Sequence, residues 1–344
     1  MNYDLLGIGN ALLDYQVEVP FQFLEDHGFK RGSMTLVDAD FQHRLLAEIQ
    51  TKFGTKAVRR TSGGCSANTL TGLSSYGGTG AFIGKVANDE AGEFYRSDMQ
   101  KYNIPFHTSA GSSEHTGTCL ALITPDAERT MLTHLGIATH LSEADIEVEK
   151  IKNSKFIYIE GYLWDPPSGR AASKHAIKIA KELKKKVSFS YSDSFCVERH
   201  FDDFIELSKS SIDIVFCNES EALHATKTSN VQDAFRIMQA WSNTICITIG
   251  AKGALLSENF GKNIEEIPTW EVKLIDKLGA GDLFASGVLF GLSQGRCLRE
   301  AGHLGCFSAT RVIQQMGARL EENLSLCIDE ASRGPSENDI AIAV

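Results

Sequence analysis

The 344-residue chain has no surplus of positive charge: 34 Lys and Arg stand against 44 Asp and Glu, for a net charge of −10. Without a basic face, nucleic acid is a poor candidate partner. Long apolar runs are also missing. No stretch approaches about 18 uninterrupted apolar residues, and the N-terminal MNYDLLGIGNALLDYQ carries no basic segment followed by an apolar one, so neither a membrane span nor a leader is expected. The eight cysteines form no CxxC pair, and most lie in apolar segments where a free thiol packs as a small hydrophobe. These absences predict a soluble protein of the reducing cytoplasm. Two nucleotide motifs are lacking as well. No GxxxxGK[ST] is present, which excludes a P-loop. The GIGN at residues 7–10 lacks the third glycine and the following helix of a dinucleotide fingerprint, because Asp14 to Pro20 alternates like a strand.

What is present centres on DKLGAGDLFASGVLF, Asp276 to Phe290. Gly279, Ala280 and Gly281 precede Leu283, Phe284, Val288 and Leu289, which are apolar at helical spacing, so a tight turn should expose backbone N–H groups at a helix start. Such an end attracts anions. Asp282 in the first helical turn admits two readings. As a helix cap it complements the macrodipole by about 0.3 to 1 kcal/mol. As a catalyst it takes a proton from an alcohol while the N–H groups hold a phosphate.

GAGD preceded by Asp276 resembles the second signature of the ribokinase (PfkB) family of carbohydrate and nucleoside kinases, and the likeness runs from about Tyr3 to Arg319. The resemblance implies a ribokinase-like α/β fold: a doubly wound, mostly parallel sheet flanked by helices, with a small β-sheet lid. It also implies that Asp282 is the general base, with Gly279, Ala280 and Gly281 as an anion hole. The chain departs from the family at Lys277-Leu278, where Thr followed by Thr or Asn is usual, and at Ala87 within AFIGKVANDEAG. Family members that respond to K⁺ bind it through the signature's Asp, here Asp276. Lys277 places a competing charge close by, so a weak or absent K⁺ response is expected.

The same resemblance assigns the remaining positions. Asn10 and Asp14 in GIGNALLD would hold the sugar, and a carboxylate that accepts two O–H bonds suits a vicinal diol; otherwise Asp14 is a strand-end residue in a turn. Gly63, Gly64 and Asn68 in TSGGCSANTL match the first signature, whose glycines let backbone approach the sugar ring; the plainer reading is a glycine hinge before a helix. TGTCLALITPDAERTM is similar to the adenosine kinase branch and draws attention to Thr118, Cys119 and Arg129, the last of which could equally be an exposed lid charge. Tyr162 and Trp164, after the strand Phe156 to Glu160, stand where that branch carries aromatics that stack on purine. Asn218 and Glu221 match NxxE and would order Mg²⁺ waters or phosphate, although the pair also has the form of a capping box. Thr248, Gly250 and Gly253 in ITIGAKGA resemble the loop under the ATP phosphates.

The expectation is therefore an ATP- and Mg²⁺-dependent kinase acting on the primary hydroxyl of a nucleoside, most like adenosine kinase, as a monomer or homodimer. The alternatives are a free-sugar kinase and a non-catalytic nucleoside-binding protein. One kinase domain is expected over residues 1–320, with lid strands from about 14–37 and 105–134, followed by a tail over 321–344. Asp38 and Asp89 should cap the helices that follow them, and Gly317 should end the helix that begins at Leu298.

Overall fold

The computed structural model describes residues 2–106, 114–126, 128–336 and 339. Among the described residues thirteen strands form two sheets: β1 Tyr3–Ile8, β2 Leu12–Glu18, β3 Met34–Leu36, β4 Arg59–Gly63, β5 Gly80–Ile83, β6 Gly117–Ile123, β7 Arg129–His134, β8 Ser154–Glu160, β9 Lys186–Ser190, β10 Ile214–Asn218, β11 Thr244–Thr248, β12 Ala254–Glu258 and β13 Asn263–Ile267. The main sheet has the order β13-β12-β11-β10-β9-β8-β1-β5. It is parallel from β5 to β11 and closes with the antiparallel β12 and β13. This is the doubly wound, mostly parallel sheet that the family resemblance implied.

Strand alternation divides the core into two layers. Ile157 and Ile159 point into one cluster with Phe189, Trp164 and Val215, while Tyr158 between them joins Phe216, Cys246 and Leu256 in the other. The second layer is built on helices Ala280–Ser293 and Leu298–Val312. Their close contact needs Gly287, where an added Cβ would meet the backbone of Leu304 and Gly305. A methyl there would push the helices apart.

The second sheet, β3-β7-β6-β2-β4, is the lid. Leu120, Leu122 and Leu132 face a small core with Phe23, Leu45 and Ile49 from helices Phe21–Asp26 and Ala39–Phe53. The residues that alternate with them, Cys119, Ala121 and Met131, face the cavity beneath. One sheet thus serves a core and a site by the two-residue strand period.

Several expectations differ from the outcome. β4 was not anticipated, because Arg59-Arg60-Thr61-Ser62 has no apolar alternation; it pairs with β2 at the lid edge. Pro105 and Phe106 are not in a strand. Of the stretch 105–134 expected to supply lid strands, residues 107–113 and Ala127 lie outside the described residues, as does the chain end beyond Ser336 except Asp339. Asp38 and Asp89 cap as expected, accepting from Phe41 N at 2.7 Å and Gly92 N at 2.8 Å. The helix from Leu298 stops at Val312 with Ile313 as its C-cap, and Gly317, at φ 90°, turns the chain further on. Residues expected as a tail pack against the body: helix Ile328–Arg333 follows a turn at Leu324–Leu326, with Leu324 and Ala331 fully buried. Among the described residues no helix is long and apolar enough to cross a membrane.

Candidate active site

Parallel strands deliver their C-terminal residues to one edge, and in open α/β sheets ligands bind there. Glu160, Ser190, Asn218 and Thr248, the last residues of β8, β9, β10 and β11, all line one cavity of about 300 Å³ between this edge and the lid. Asn10, Asp14, Gly64, Asn68, Cys119, Tyr162, Glu221, Gly279, Ala280, Gly281 and Asp282 line it too. Residues scattered over most of the sequence therefore converge on one place.

The Gly63-Gly64 pair has a specific geometric task. An added Cβ at Gly63 would run into the Asp14 carboxylate, so glycine lets that carboxylate lie against the backbone. Gly64 adopts φ 96° and its Cβ would strike the Asn10 carbonyl, a double constraint that only glycine meets without strain. Helix Cys65–Ser75 starts at this turn and carries Asn68 into the cavity. Asn68 Nδ2 donates to Asp282 Oδ2 at 2.8 Å. The Oδ1 atoms of Asn10 and Asn68 are both buried without a protein partner. Buried amide oxygens left over at a cavity floor are ready to accept from ligand hydroxyls.

Gly279, at φ 76°, is the N-cap of helix Ala280–Ser293, which puts Asp282 at its third position. The N–H groups of Gly281 and Asp282 belong to the first turn and have no intrahelical acceptor. Nothing lies within 4 Å of where a Gly281 Cβ would be, so the turn presents its backbone to open cavity. An anion can approach these donors with a carboxylate beside it.

Four of the carboxylates that line the cavity, Asp14, Glu160, Glu221 and Asp282, are raised from their ordinary values, chiefly by withdrawal from water. Asp282 rises to about 6, held back by hydrogen bonds from Asn68 and Cys65 and by the charge of Arg319. Asp14 rises to about 7, against the charges of Arg129 and Arg319. Glu160 rises to about 7 and Glu221 to about 8. Asp282 adds repulsion in the other three cases. Such a site gains from an added cation. Glu221 and Asn218 form a capping box, with Asn218 N donating to Oε2 at 3.0 Å and Asn218 Nδ2 to Oε1 at 2.6 Å. The capping-box reading of this pair therefore holds, and the same box faces the cavity.

Seven expected positions lie off the cavity wall, among them Thr118, whose hydroxyl is bonded to Gln42 Oε1. Gly63 supports Asp14 from behind. Gly250 and Gly253 form the turn after β11, at φ 62° and 92°. Arg129, expected to touch substrate, is buried in an ion pair with Asp276: Nε reaches Oδ1 at 2.6 Å, and Nη2 bonds Oδ2. Asp276, expected as a cation ligand, also accepts from Leu278 N at 2.9 Å and Gly317 N at 2.7 Å. Its oxygens are thus already engaged by a guanidinium and two amides. Trp164 is unavailable for stacking as well. It is fully buried, edge-on to Phe189 and Phe204, with Nε1 on Asp203 at 3.0 Å. Tyr162 remains at the wall, its hydroxyl tied to Asp193 Oδ2 at 2.6 Å.

Two important residues escaped sequence reasoning. Glu160 accepts from Asn10 N at 2.7 Å and Ser66 N at 3.0 Å, joining the first strand to the Gly-Gly turn. Its position as the last residue of a parallel strand was the available signal. Arg319 donates to Ser62 O at 3.0 Å and Ala67 O at 3.2 Å and places its charge beneath Asp14 and Asp282. No local pattern marks it, because its partners lie some 250 residues away.

Known proteins resemble this chain over almost its whole length. Adenosine kinase 2 of Arabidopsis thaliana is 28% identical over 346 residues, covering 93% of this chain and 97% of the relative. Among solved structures, adenosine kinase from Sinorhizobium meliloti matches with a TM-score of 0.90 at 34% identity, covering 96% of this chain and all of that one. A probable sugar kinase protein from Rhizobium etli CFN 42 matches with the same score and identity, covering 96% of this chain and 99% of the other. The family model described as pfkB family carbohydrate kinase matches residues 32–323. The chain belongs to the pfkB family of carbohydrate kinases and is a phosphotransferase with an alcohol group as acceptor.

Proposed function

We propose that the acceptor is a purine nucleoside, most simply adenosine, phosphorylated on its 5′ hydroxyl by ATP. The observation that carries this reading is the two-sided cavity. Its floor is polar, with Asn10, Asp14 and Asn68, and suits a ribose. Its roof is apolar, with Leu12, Met34, Leu36, Ala121, Met131 and Leu135 from the lid and its margins. A free hexose or pentose would press hydroxyls against that roof and leave them unpaired, whereas a planar base would be covered by it. The names of the relatives at 28% and 34% identity support the same choice.

In this reading Asp282 takes the proton of the attacking hydroxyl, and the N–H groups of the Gly279 to Asp282 turn hold the transferred phosphoryl. Asp14 and the free Asn10 and Asn68 oxygens orient the ribose, turning attack into a positioned encounter. Thr248, Gly250 and Gly253 hold the ATP phosphates. The enclosed carboxylates and the hard oxygens of Asn218 and Glu221 fit Mg²⁺, which would neutralise phosphate charge there. The second reading, a free-sugar kinase, is favoured by the abundance of carboxylates on the floor and by the name of the Rhizobium etli neighbour.

A coupled ADP-release assay over nucleosides and free sugars tests the proposal. Adenosine or another purine nucleoside should turn over best. Turnover restricted to hexoses or pentoses transfers the assignment to the second reading.

A further inference from the structure

Beside the cavity, and reaching its wall through Asp165, lies a cluster that phosphoryl transfer does not use. Asp165 follows the turn Gly161–Trp164, Cys196 sits within helix Ser194–Arg199, and His200 is that helix's C-cap. One ligand-type atom from each, a carboxylate oxygen, the thiol sulfur and an imidazole nitrogen, lies within 4.8 Å of the other two. His200 Nε2 is 2.9 Å from Asp165 Oδ1. Cys196 is fully buried, and the Asp165 and His200 side chains are only 11% and 12% exposed. Among the described residues this is the one such group of three.

We propose that Asp165, Cys196 and His200 form a binding site for a borderline-soft divalent cation of the Zn²⁺ class, and that its occupancy weakens acceptor binding. One oxygen, one sulfur and one nitrogen suit Zn²⁺ and its congeners rather than Mg²⁺, which demands oxygens. Zinc bonds of roughly 2.0 to 2.3 Å place ligands about 3 to 4 Å apart, so the cluster has to contract only slightly. On binding, the Cys196 S–H bond breaks and its proton leaves to solvent, an S–Zn bond forms, and His200 exchanges its hydrogen bond to Asp165 for a bond to the metal. Nothing is oxidised or reduced. A fourth position stays open for water. Arg199 competes for the metal's place, since Nε and Nη2 bond Asp165 Oδ1 and Oδ2 at 3.0 and 2.9 Å. This competition sets a moderate rather than a structural affinity, as befits a site that fills and empties.

The link to the cavity is physical. Asp165 itself lines it. The two segments that the metal would draw together are already pinned by Asp193, which caps the helix at Cys196 N at 2.5 Å and holds the Tyr162 hydroxyl at 2.6 Å. Contraction therefore displaces Tyr162 and Asp165 at the acceptor wall. This effect on the acceptor rests on the nucleoside reading above; metal binding does not.

The test uses full-length protein freed of metal, with the exposed Cys297 and the half-buried Cys327 replaced by Ser so that these two thiols do not contribute. Calorimetry with ZnCl₂ should show one equivalent bound, and Cys196→Ser and His200→Ala should each bind at least tenfold more weakly. Cys196→Ala provides a second truncation, and circular dichroism confirms that each variant is folded. Cobalt(II) should give a thiolate charge-transfer absorption that disappears in both Cys196 variants. Adenosine affinity, measured without ATP, should fall several-fold on adding Zn²⁺ to the parent and stay unchanged in Cys196→Ser. Equal zinc affinity in parent and folded Cys196 variants overturns the site, leaving an ion-pair cluster only. Zinc binding without change in acceptor affinity overturns its coupling to the cavity. If no nucleoside binds at all, the functional reading fails while the stoichiometry and the cobalt spectrum still decide the metal site.

Discussion

Asp282 stands in the first turn of its helix, where it makes no capping hydrogen bond, and accepts instead from Asn68, which arrives from a helix 214 positions earlier in the chain. The proposal that it is the base has a direct test. Asp282→Asn is expected to lower the turnover number by roughly 10² to 10⁴ while leaving acceptor affinity nearly intact, because the amide still accepts from Asn68 but has no basic oxygen. Rate constants at saturating substrate and calorimetric binding check this; more than about a tenth of parental turnover excludes Asp282 as the base. The same residue sets a pH limb. The base must be ionised to act, and it is raised to about 6, so kcat/KM should fall tenfold per unit below about that pH. A profile flat down to pH 5 contradicts the assignment.

At the scale of elements, the decisive connection is between the lid strand β7 and the turn before helix Ala280–Ser293. Arg129 and Asp276 form it, and both are buried. Removing one partner of such a pair leaves an uncompensated charge, so Arg129→Ala should destabilise the fold by roughly 3 to 5 kcal/mol in urea unfolding. The double variant with Asp276→Asn should recover much of this loss, because no lone carboxylate remains. A single variant as stable as the parent shows that the pair is not what joins the lid to the body. Asp276 also bears on cation dependence. With its oxygens engaged by Arg129, Leu278 N and Gly317 N, replacing Na⁺ by K⁺ at constant ionic strength should leave the rate unchanged. Lys277, invoked from sequence as the competing charge, instead lies 3.9 Å from Glu128 and is largely exposed. A several-fold rise in rate with K⁺ contradicts this account.

Across the whole molecule, the enclosed carboxylates shape stability against pH. Asp14, Glu160, Glu221 and Asp282 have folded-state values raised to about 7, 7, 8 and 6, above their ordinary values near 4. Between those limits the folded protein binds more protons than the unfolded chain, so stability falls as pH rises through this window. His303, lowered by burial, opposes this with one group. Asp4, Asp89, Asp98 and Asp145 are lowered, and their contribution is lost only near and below the ordinary carboxylate range. The ligand-free protein should therefore melt at a higher temperature at pH 6 than at pH 8. Scanning calorimetry across that range checks the sign, and a melting temperature that rises with pH means that these groups are not held as described.

The sequence by itself determined the helix after the GAGD motif and the turns that carry Gly64 and Gly279, because helix periodicity and glycine's access to positive φ are local properties, while the parallel sheet followed from the family resemblance those motifs carry. It also determined which polar residues ended elements, and so which of them could reach a strand-edge cavity. The strand β4, the cavity contact of Glu160 and the charge of Arg319 were decided by the tertiary structure, since pairing at a sheet edge and burial depend on what arrives from elsewhere in the chain. Arg129 shows the difference most directly. In sequence it is a cation in a lid strand, equally suited to substrate or solvent. Only the fold brings Asp276 to it across 147 positions, and at that distance from water the lowest free energy for each charge is the other.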